Sequence, residues 1–201
     1  MVEQSEWMKM VTANPSHSTW FVKRFRDMAT TGQDLGGEAR LVDAMVARGS
    51  RILDAGCGSG RVGGALARAG HDVVGVDVDP VLLAAAREDF PGPDWILGDL
   101  AELDLPAQGV PAAFDAIVAA GNVMPFLAAS TRVEVLARLR SHVADDGRVV
   151  LGFGAGRGYD FDDFLRDARG VGFEPGLLLA GWDVKPHRED SDFLVAILDP
   201  A

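Results

Sequence analysis

The amino-acid sequence predicts an α/β fold: a doubly wound, mostly parallel sheet of seven strands with a final antiparallel strand, preceded by an N-terminal helical lid. From Ser50 onward, apolar segments of strand length alternate with amphipathic segments of helical length, as in parallel sheets covered by helices on both faces. The last two strands, FEPGLLLAG and DFLVAIL, are joined by a loop with no crossover helix, so they should pair antiparallel. We predict one domain over residues 1–201, with the lid in residues 1–48 and the sheet in residues 49–201.

Two amphipathic helices are predicted ahead of the sheet, in HSTWFVKRFRDMA and EARLVDAMVA. Ser18 or Thr19 is a candidate N-cap for the first of them. Neither helix could bury its apolar stripe alone, so both are expected to pack on the domain that follows. Trp20 and Phe21 are therefore candidates to cover a bound ligand, and packing on the sheet is the alternative role for both.

The remaining elements follow in strand–helix alternation. Asp79 precedes Pro80 as an N-cap before a first-turn proline, and Thr131 and Glu134 have the spacing of a capping box. The first five strands are predicted in RILDA, DVVGVD, DWILGDL, FDAIVAAG and GRVVLGF, and the core helices in RVGGALARAG, DPVLLAAARED, STRVEVLARLRSHVA and FDDFLRDARG.

The composition disfavours several classes of partner. The net charge is −11 and no block of Lys and Arg stands out, whereas nucleic-acid binders and membrane-surface proteins need a basic footprint. The sequence has no apolar run of membrane-spanning length and its start lacks a signal-peptide core, so a cytoplasmic protein is expected. The single cysteine, Cys57, is interpreted as a small residue in a loop, because a nucleophilic cysteine needs a base or electropositive surroundings. Nothing in the sequence indicates an oligomeric state.

The most informative segment runs from RILDAGCGSGR to VVGVDVDP. An apolar strand leads into Asp54 and a glycine loop with Gly56, Gly58 and Gly60, and a second apolar strand ends at Asp77. Glycines allow a ligand close to the backbone, and an acid at the tip of the second strand can accept hydrogen bonds from ribose hydroxyls. This order of elements predicts a pocket for a nucleoside.

Two cofactors fit that outline. A G-x-G-x-x-G pattern at Gly58, Gly60 and Gly63 would suit a dinucleotide, whose pyrophosphate lies at a helix N-terminus. Asp54 would repel those phosphates, but it would favour the ammonium and sulfonium of S-adenosylmethionine (SAM). The D-A-G-C-G-S-G run resembles motif I of class I SAM-dependent methyltransferases, with Asp77 as the acid that follows it. The resemblance covers about Ser50 to Leu198 and implies a Rossmann-like core.

The resemblance also implies roles for individual residues. The three glycines would frame the methionyl end of SAM, Asp54 would contact or orient its ammonium, and Asp77 would bind the ribose. Asp99, after the third strand, would accept from the adenine amino group beside a backbone N–H. The expected cofactor-binding residues are Asp54, Gly56, Gly58, Gly60, Asp77, Val78, Asp99, Leu100, Ala119 and Asn122.

The methyl acceptor is expected at the same edge of the sheet. Four residues in loops after the later strands are substrate-side candidates: Asn122, Tyr159, Trp182 and His187. His187 is the one plausible general base, and Asn122 could instead stabilise a turn. No cluster has metal-ligand spacing, so no metal is expected. The sequence thus predicts methyl transfer from SAM to a small molecule, with a non-catalytic SAM-binding protein or an NAD-dependent oxidoreductase as alternatives.

Overall fold

A computed structural model describes residues 2–201 and shows seven strands in one sheet, ordered β3-β2-β1-β4-β5-β7-β6. The strands β1 to β5 are mutually parallel, and β7 lies antiparallel between β5 and β6, with Leu151 opposite Ala196. The predicted fold class is confirmed, including the antiparallel ending. The strands are β1 (Arg51–Ala55), β2 (Asp72–Asp77), β3 (Asp94–Leu97), β4 (Phe114–Ala119), β5 (Val143–Gly154), β6 (Phe173–Leu179) and β7 (Phe193–Pro200).

Eight α-helices accompany the sheet in residues 2–201. None of them is long and apolar enough to cross a membrane. They are α1 (Glu6–Ala13), α2 (His17–Thr30), α3 (Gly37–Met45), α4 (Arg61–Arg68), α5 (Pro80–Asp89), α6 (Val123–Phe126), α7 (Arg132–His142) and α8 (Phe161–Gly170).

The central strands are buried on both faces, because helices cover each side of the sheet. On one face Leu53 and Ile117 pack in the large core that α7 and α8 close with residues such as Leu136 and Phe164. On the other face Ile52 belongs to a second core closed by α3 and α4. This double burial explains why the strands read as nearly continuous apolar runs.

The helix caps are only partly those predicted. The Asp79 carboxylate accepts from the backbone N–H groups of Val81 and Leu82, so the predicted N-cap of α5 is confirmed. The predicted capping box of α7 is wrong, since the Thr131 hydroxyl donates to the carbonyl of Ala128 instead. The predicted cap of α2 is also wrong: that helix already begins at residue 17, and Ser18 is buried within its first turn.

The N-terminal segment divides into two parts. Helices α1 and α2 lie over the edge of the sheet where the parallel strands end, and α2 packs on α5. Helix α3 instead packs beside α4 on the face of the sheet, where it buries Ala39 and Val42. Only α1 and α2 therefore form a lid, which is shorter than the predicted segment 1–48.

Candidate active site

One pocket opens at the carboxyl ends of β1, β2, β3 and β4, where α/β sheets bind ligands. Its empty space is about 950 Å³, a figure that includes open solvent at the mouth. Its lining consists of Ser5, Trp7, Phe21, Phe25, Asp54, Gly56, Cys57, Gly58, Ser59, Arg61, Val62, Asp77, Val78, Leu82, Gly98, Asp99, Leu100, Ala120, Gly121, Val123, Phe126 and Leu127.

Asp54 forms the deepest charged group of this pocket. It ends β1, is 2% exposed, and accepts a hydrogen bond from the backbone N–H of Gly63 at 2.7 Å. Burial raises the pKa of the Asp54 carboxyl to about 7, against the opposing effect of that hydrogen bond. The carboxylate thus occupies the N-terminal turn of α4, where a dinucleotide would need to place its phosphates. A cationic ligand fits this position and an anionic one does not.

Asp77 lies at the end of β2 and organises the glycine loop. One of its oxygens accepts from the N–H of Gly58 at 2.8 Å and the other from the N–H of Asp79 at 2.9 Å. Burial raises the pKa of Asp77 to about 6, again against its hydrogen bonds. Each oxygen keeps a further lone pair, so the carboxylate can still accept from a ligand hydroxyl.

The glycines of the loop differ in what they provide. Gly56 has φ +75°, and a Cβ there would lie 2.6 Å from a methyl group of Val123. Gly60 does not line the pocket, because a Cβ at that position would meet Ala86 at 2.8 Å and the ring of Trp95. Gly60 therefore serves close packing between α4 and its neighbours, a correction to its expected place beside the cofactor.

The loops that follow β2 and β3 bring three further expected residues to the pocket. Val78, Asp99 and Leu100 all line it. The Asp99 carboxylate also accepts from the N–H of Ala101 at 2.9 Å and begins a short 3-10 helix. Asp99 thus has a local backbone role and a free lone-pair direction at the same time.

The residues after β4 are displaced by one position from the prediction. Ala119 is buried in the core, and Ala120 and Gly121 line the pocket in its place. Asn122 adopts a left-handed conformation with φ +68°, and its side-chain oxygen accepts from the N–H of Gly154 at 2.8 Å. The structure therefore assigns Asn122 the turn-stabilising role and removes it from the pocket lining.

The other three substrate-side candidates lie outside the pocket lining. The Tyr159 ring is buried against Phe153, and its hydroxyl donates to Asp167 at 2.8 Å, which together with burial raises the Tyr159 pKa. The Trp182 ring packs on Gly152, where a Cβ would meet it at 2.3 Å. Their loops fold back onto the sheet instead of reaching the cavity.

His187 packs edge-on against Phe161, with ring centroids 5.5 Å apart. Its backbone N–H donates to the carbonyl of Leu178 and holds the loop beside β6. The residue does not line the pocket, so its position does not support the expected role as the general base.

The pocket has an aromatic roof, to which the lid supplies Trp7, Phe21 and Phe25 and α6 supplies Phe126. Trp7 lies edge-on to Phe21 at 5.2 Å and to Phe126 at 5.7 Å, and Phe25 lies 4.8 Å from Phe21. Phe21 lines the pocket, as expected for a residue that covers a bound ligand. Trp20, the other candidate for that role, points outward and is 52% exposed. Trp7 was missed because α1 was not predicted, although Ser5 and Glu6 form a capped helix start there.

Arg61 is the cation of the pocket lining, and it is already paired. Its guanidinium donates to both carboxylate oxygens of Glu38, at 2.6 and 2.8 Å, and also to the carbonyl of Leu35.

Cys57 lies beside Asp54 and Asp77, and burial raises the pKa of its thiol well above the ordinary value. A protonated thiol is a poor nucleophile, which agrees with its interpretation as a small loop residue.

No group of three or more His, Cys, Asp or Glu side chains with metal-binding geometry occurs in residues 2–201. The charged groups of the pocket are thus two buried carboxylates, the partly exposed Asp99 and the paired Arg61. With the glycine loop and the apolar roof, they fit an uncharged nucleoside that carries a positively charged side group.

Comparison with known proteins identifies the class. A family model described as a methyltransferase domain matches residues 52–147. A crystal structure of a TehB-like SAM-dependent methyltransferase from Corynebacterium glutamicum is 48% identical, with a TM-score of 0.89, and the match covers 94% of this chain and 100% of that one. The chain belongs to the class I SAM-dependent methyltransferases, and its cofactor is SAM. Membership of this family thus excludes the alternative of an NAD-dependent oxidoreductase.

Curated relatives match over shorter stretches. The ribosomal protein L11 methyltransferase of Methylococcus capsulatus is 34% identical over 70% of this chain and 46% of its own length. The magnesium-protoporphyrin O-methyltransferase of Rhodobacter capsulatus is 32% identical over 61% of this chain and 52% of its own length. The chain thus spans about half the length of these two relatives, and the names of the curated relatives include protein, porphyrin and rRNA acceptors.

Proposed function

We propose that this protein transfers the methyl group of SAM to a small, uncharged and partly apolar molecule held under the aromatic roof. The observation that carries the proposal is the composition of the aromatic roof, which we take as the acceptor half of the pocket. Trp7, Phe21, Phe25 and Phe126 line it, and the neighbouring guanidinium of Arg61 is neutralised by Glu38. Such a lining favours apolar surface and offers an anion no free positive partner.

The cofactor half supports SAM as the methyl donor. Asp54 would hold the ammonium, Asp77 the ribose hydroxyls and Asp99 the adenine amino group, with Val78 and Leu100 beside them. When bound, SAM supplies a methyl group on a positively charged sulfur, which leaves in an in-line displacement. The chain's own residues bind, align and desolvate the reactants, and alignment alone can provide several kcal/mol, up to about 7–11 kcal/mol in ideal cases.

The absence of an acid–base pair from the acceptor half is compatible with this chemistry. Asn122 and Tyr159 are engaged in hydrogen bonds within the protein, and His187 lies outside the pocket lining. A nucleophile that has a free lone pair and no proton to lose at neutral pH, such as the sulfur of a sulfide, requires no base from the protein for methyl transfer. Such acceptors are consistent with the proposal.

The acceptors named for the curated relatives do not transfer to this chain, which spans only part of their length. A large RNA is further disfavoured by the net charge of −11, since RNA binding depends on neutralising phosphates. A roofed pocket also suits a compact molecule better than a folded protein. A small-molecule acceptor in the cytoplasm is therefore the specific proposal.

The experiment is a transfer assay with methyl-labelled SAM and a cell extract divided into small molecules, protein and RNA. We expect label in the small-molecule fraction, and a strong loss of transfer in Phe21→Ala, which opens the roof. The matched control is Trp20→Ala, which removes an exposed aromatic side chain from the same helix and should transfer at the wild-type rate. Label in RNA or protein would contradict the proposed acceptor class.

Thermal unfolding, read together with the transfer assay, distinguishes the enzyme from the remaining alternative, a non-catalytic SAM-binding protein. SAM and S-adenosylhomocysteine should raise the Tm through binding to the folded state, whereas NAD and NADP should not. Stabilisation by SAM without transfer to any fraction would favour a non-catalytic SAM-binding protein.

A further inference from the structure

Both helices of the lid donate to one carboxylate beside the pocket, that of Asp79, which is 1% exposed. On the surface, Arg26 of α2 also pairs with Glu88 and Asp89 of α5. The Oδ1 of Asp79 accepts from the backbone N–H groups of Val81 at 2.8 Å and Leu82 at 3.4 Å, as an N-cap requires. Its Oδ2 accepts from the indole N–H of Trp7 at 2.9 Å and from the hydroxyl of Ser18 at 2.5 Å. One oxygen therefore caps α5, and the other binds α1 and α2.

These two side-chain donors hold the residues that form the roof. Trp7 lines the pocket itself and contacts Phe21 and Phe126. Ser18 lies three residues before Phe21 on α2, on the same face of the helix. Loss of either hydrogen bond would therefore weaken the hold on the roof without removing any of its apolar side chains, and Arg26 would still tie α2 to α5.

Helix α1 has few other attachments. None of its residues is buried, and it makes few contacts with the rest of the fold. Elements with little buried surface are the ones that open at low free energy. The hydrogen bond from Trp7 to Asp79 is thus one of few contacts that keep α1 in place, together with the packing of Trp7 on Phe21 and Phe126.

Asp79 belongs to the same turn as the proposed ribose ligand. The backbone N–H of Asp79 donates to Oδ1 of Asp77 at 2.9 Å, and the other oxygen of Asp77 holds Gly58 in the glycine loop. The carboxylate that holds the lid, that of Asp79, and the carboxylate proposed to bind the ribose, that of Asp77, therefore belong to one short segment of the chain.

We propose that Asp79 is a positioning residue that latches the lid over the bound cofactor, and that its bonds to Trp7 and Ser18 break when α1 and α2 open for cofactor exchange. The inference rests on the proposed function, because it takes this pocket as the SAM site. A latch slows the release of S-adenosylhomocysteine, whereas a purely structural contact affects only the stability of the folded protein.

The experiment measures the dissociation rate of S-adenosylhomocysteine by stopped-flow displacement in the full-length protein. Trp7→Phe removes the indole N–H and keeps an aromatic ring, and Ser18→Ala removes the second donor. Asp79→Asn keeps an N-capping oxygen for α5 but presents an amide N–H to the indole N–H. Each variant should release the product about tenfold faster or more, as expected for the loss of a hydrogen bond to a charged acceptor.

Two further variants make the result specific. The double variant Trp7→Phe with Asp79→Asn should release the product no faster than Asp79→Asn alone, because both changes remove the same bond. Trp20→Phe is the matched control, since this exposed indole has no bond to Asp79 and its change should leave the rate at the wild-type value.

The possible results are distinct. Wild-type release rates in Trp7→Phe and Ser18→Ala, even with a lowered Tm, would overturn the latch and leave the proposed function intact. Equal acceleration in Trp20→Phe would also overturn it, by showing a general loosening of the lid. No binding of S-adenosylhomocysteine to the wild-type protein would overturn both proposals.

Discussion

Replacing Asp54 by Asn should change how the stability of the cofactor-free protein depends on pH. In the folded protein burial raises the pKa of this carboxyl from 3.8 to about 7, whereas the unfolded chain titrates near the ordinary value. Between these two values the folded state holds a proton that the unfolded state has released. The free energy of unfolding therefore falls as the pH rises through this window, and the stabilisation is lost above about pH 7.

The size of the effect follows from the shift. One pKa unit corresponds to about 1.4 kcal/mol, so the two units between pH 5 and pH 7 amount to about 3 kcal/mol. In Asp54→Asn an amide oxygen can still accept from the N–H of Gly63, but no group titrates at this position. The wild-type protein should lose about 3 kcal/mol more than the variant between pH 5 and pH 8, while Asp77 titrates in both proteins.

Urea unfolding at pH 5, 6, 7 and 8, without cofactor, measures this difference. Asp104→Asn is a matched control, because its exposed carboxylate also accepts one backbone N–H, that of Ala107; it should reproduce the pH dependence of the wild type. If the free energy of unfolding changed with pH equally in the wild type and in Asp54→Asn, the reasoning would be refuted.

The same carboxyl should couple cofactor binding to protons. A bound ammonium favours the charged form of Asp54, so SAM should bind with release of a proton below about pH 7 and its affinity should rise from pH 5 to pH 8. Calorimetry in buffers of different ionisation enthalpy should detect this proton in the wild type and find it reduced in Asp54→Asn.

Three further outcomes are expected. Asp77→Ala should weaken SAM binding more than tenfold in calorimetry, since a charge-assisted hydrogen bond contributes about 1.5–3 kcal/mol; it should also lower the Tm, because two backbone N–H groups lose their acceptor. Gly56→Ala should lower the unfolding free energy by about 1–3 kcal/mol, and Val123→Ala in the same chain should restore part of it by relieving the clash but not the left-handed backbone. His187→Gln should leave both turnover and SAM affinity at wild-type values; a selective loss of turnover would return His187 to the site.

Most of the expected cofactor-binding residues line the pocket because local rules determine where they lie. A buried parallel strand must end at one edge of the sheet, and the loop that follows it must face that edge. Asp54, Gly56, Gly58 and Asp77 therefore meet in one pocket from the order of elements alone. Gly60 was expected in the same pocket but packs against Ala86 and Trp95. Those two neighbours are brought there by tertiary packing, which the order of elements does not reveal.

The positions of the expected substrate-side residues could not be predicted in the same way. At Asn122 a single left-handed residue turns the side chain toward Gly154, so its neighbours Gly121 and Val123 reach the pocket instead. Tyr159 sits in a loop at the correct edge, but its ring finds a partner in Phe153 and its hydroxyl one in Asp167. Loop position limits where a side chain can lie, and only packing decides which way it points.

The difference between residues placed by local rules and residues placed by tertiary packing also limits what membership of a family indicates about the acceptor. The matched methyltransferase domain begins at residue 52, so it includes Asp54 and Asp77 but excludes Trp7, Phe21 and Phe25. Those three side chains reach the pocket through contacts of the lid with distant parts of the chain, above all the bonds of Trp7 and Ser18 to Asp79. A shared domain therefore carries the cofactor from one protein to another without carrying the part of the roof that α1 and α2 supply. Two relatives should share an acceptor class only where the residues of α1 and α2 that face the pocket agree as well.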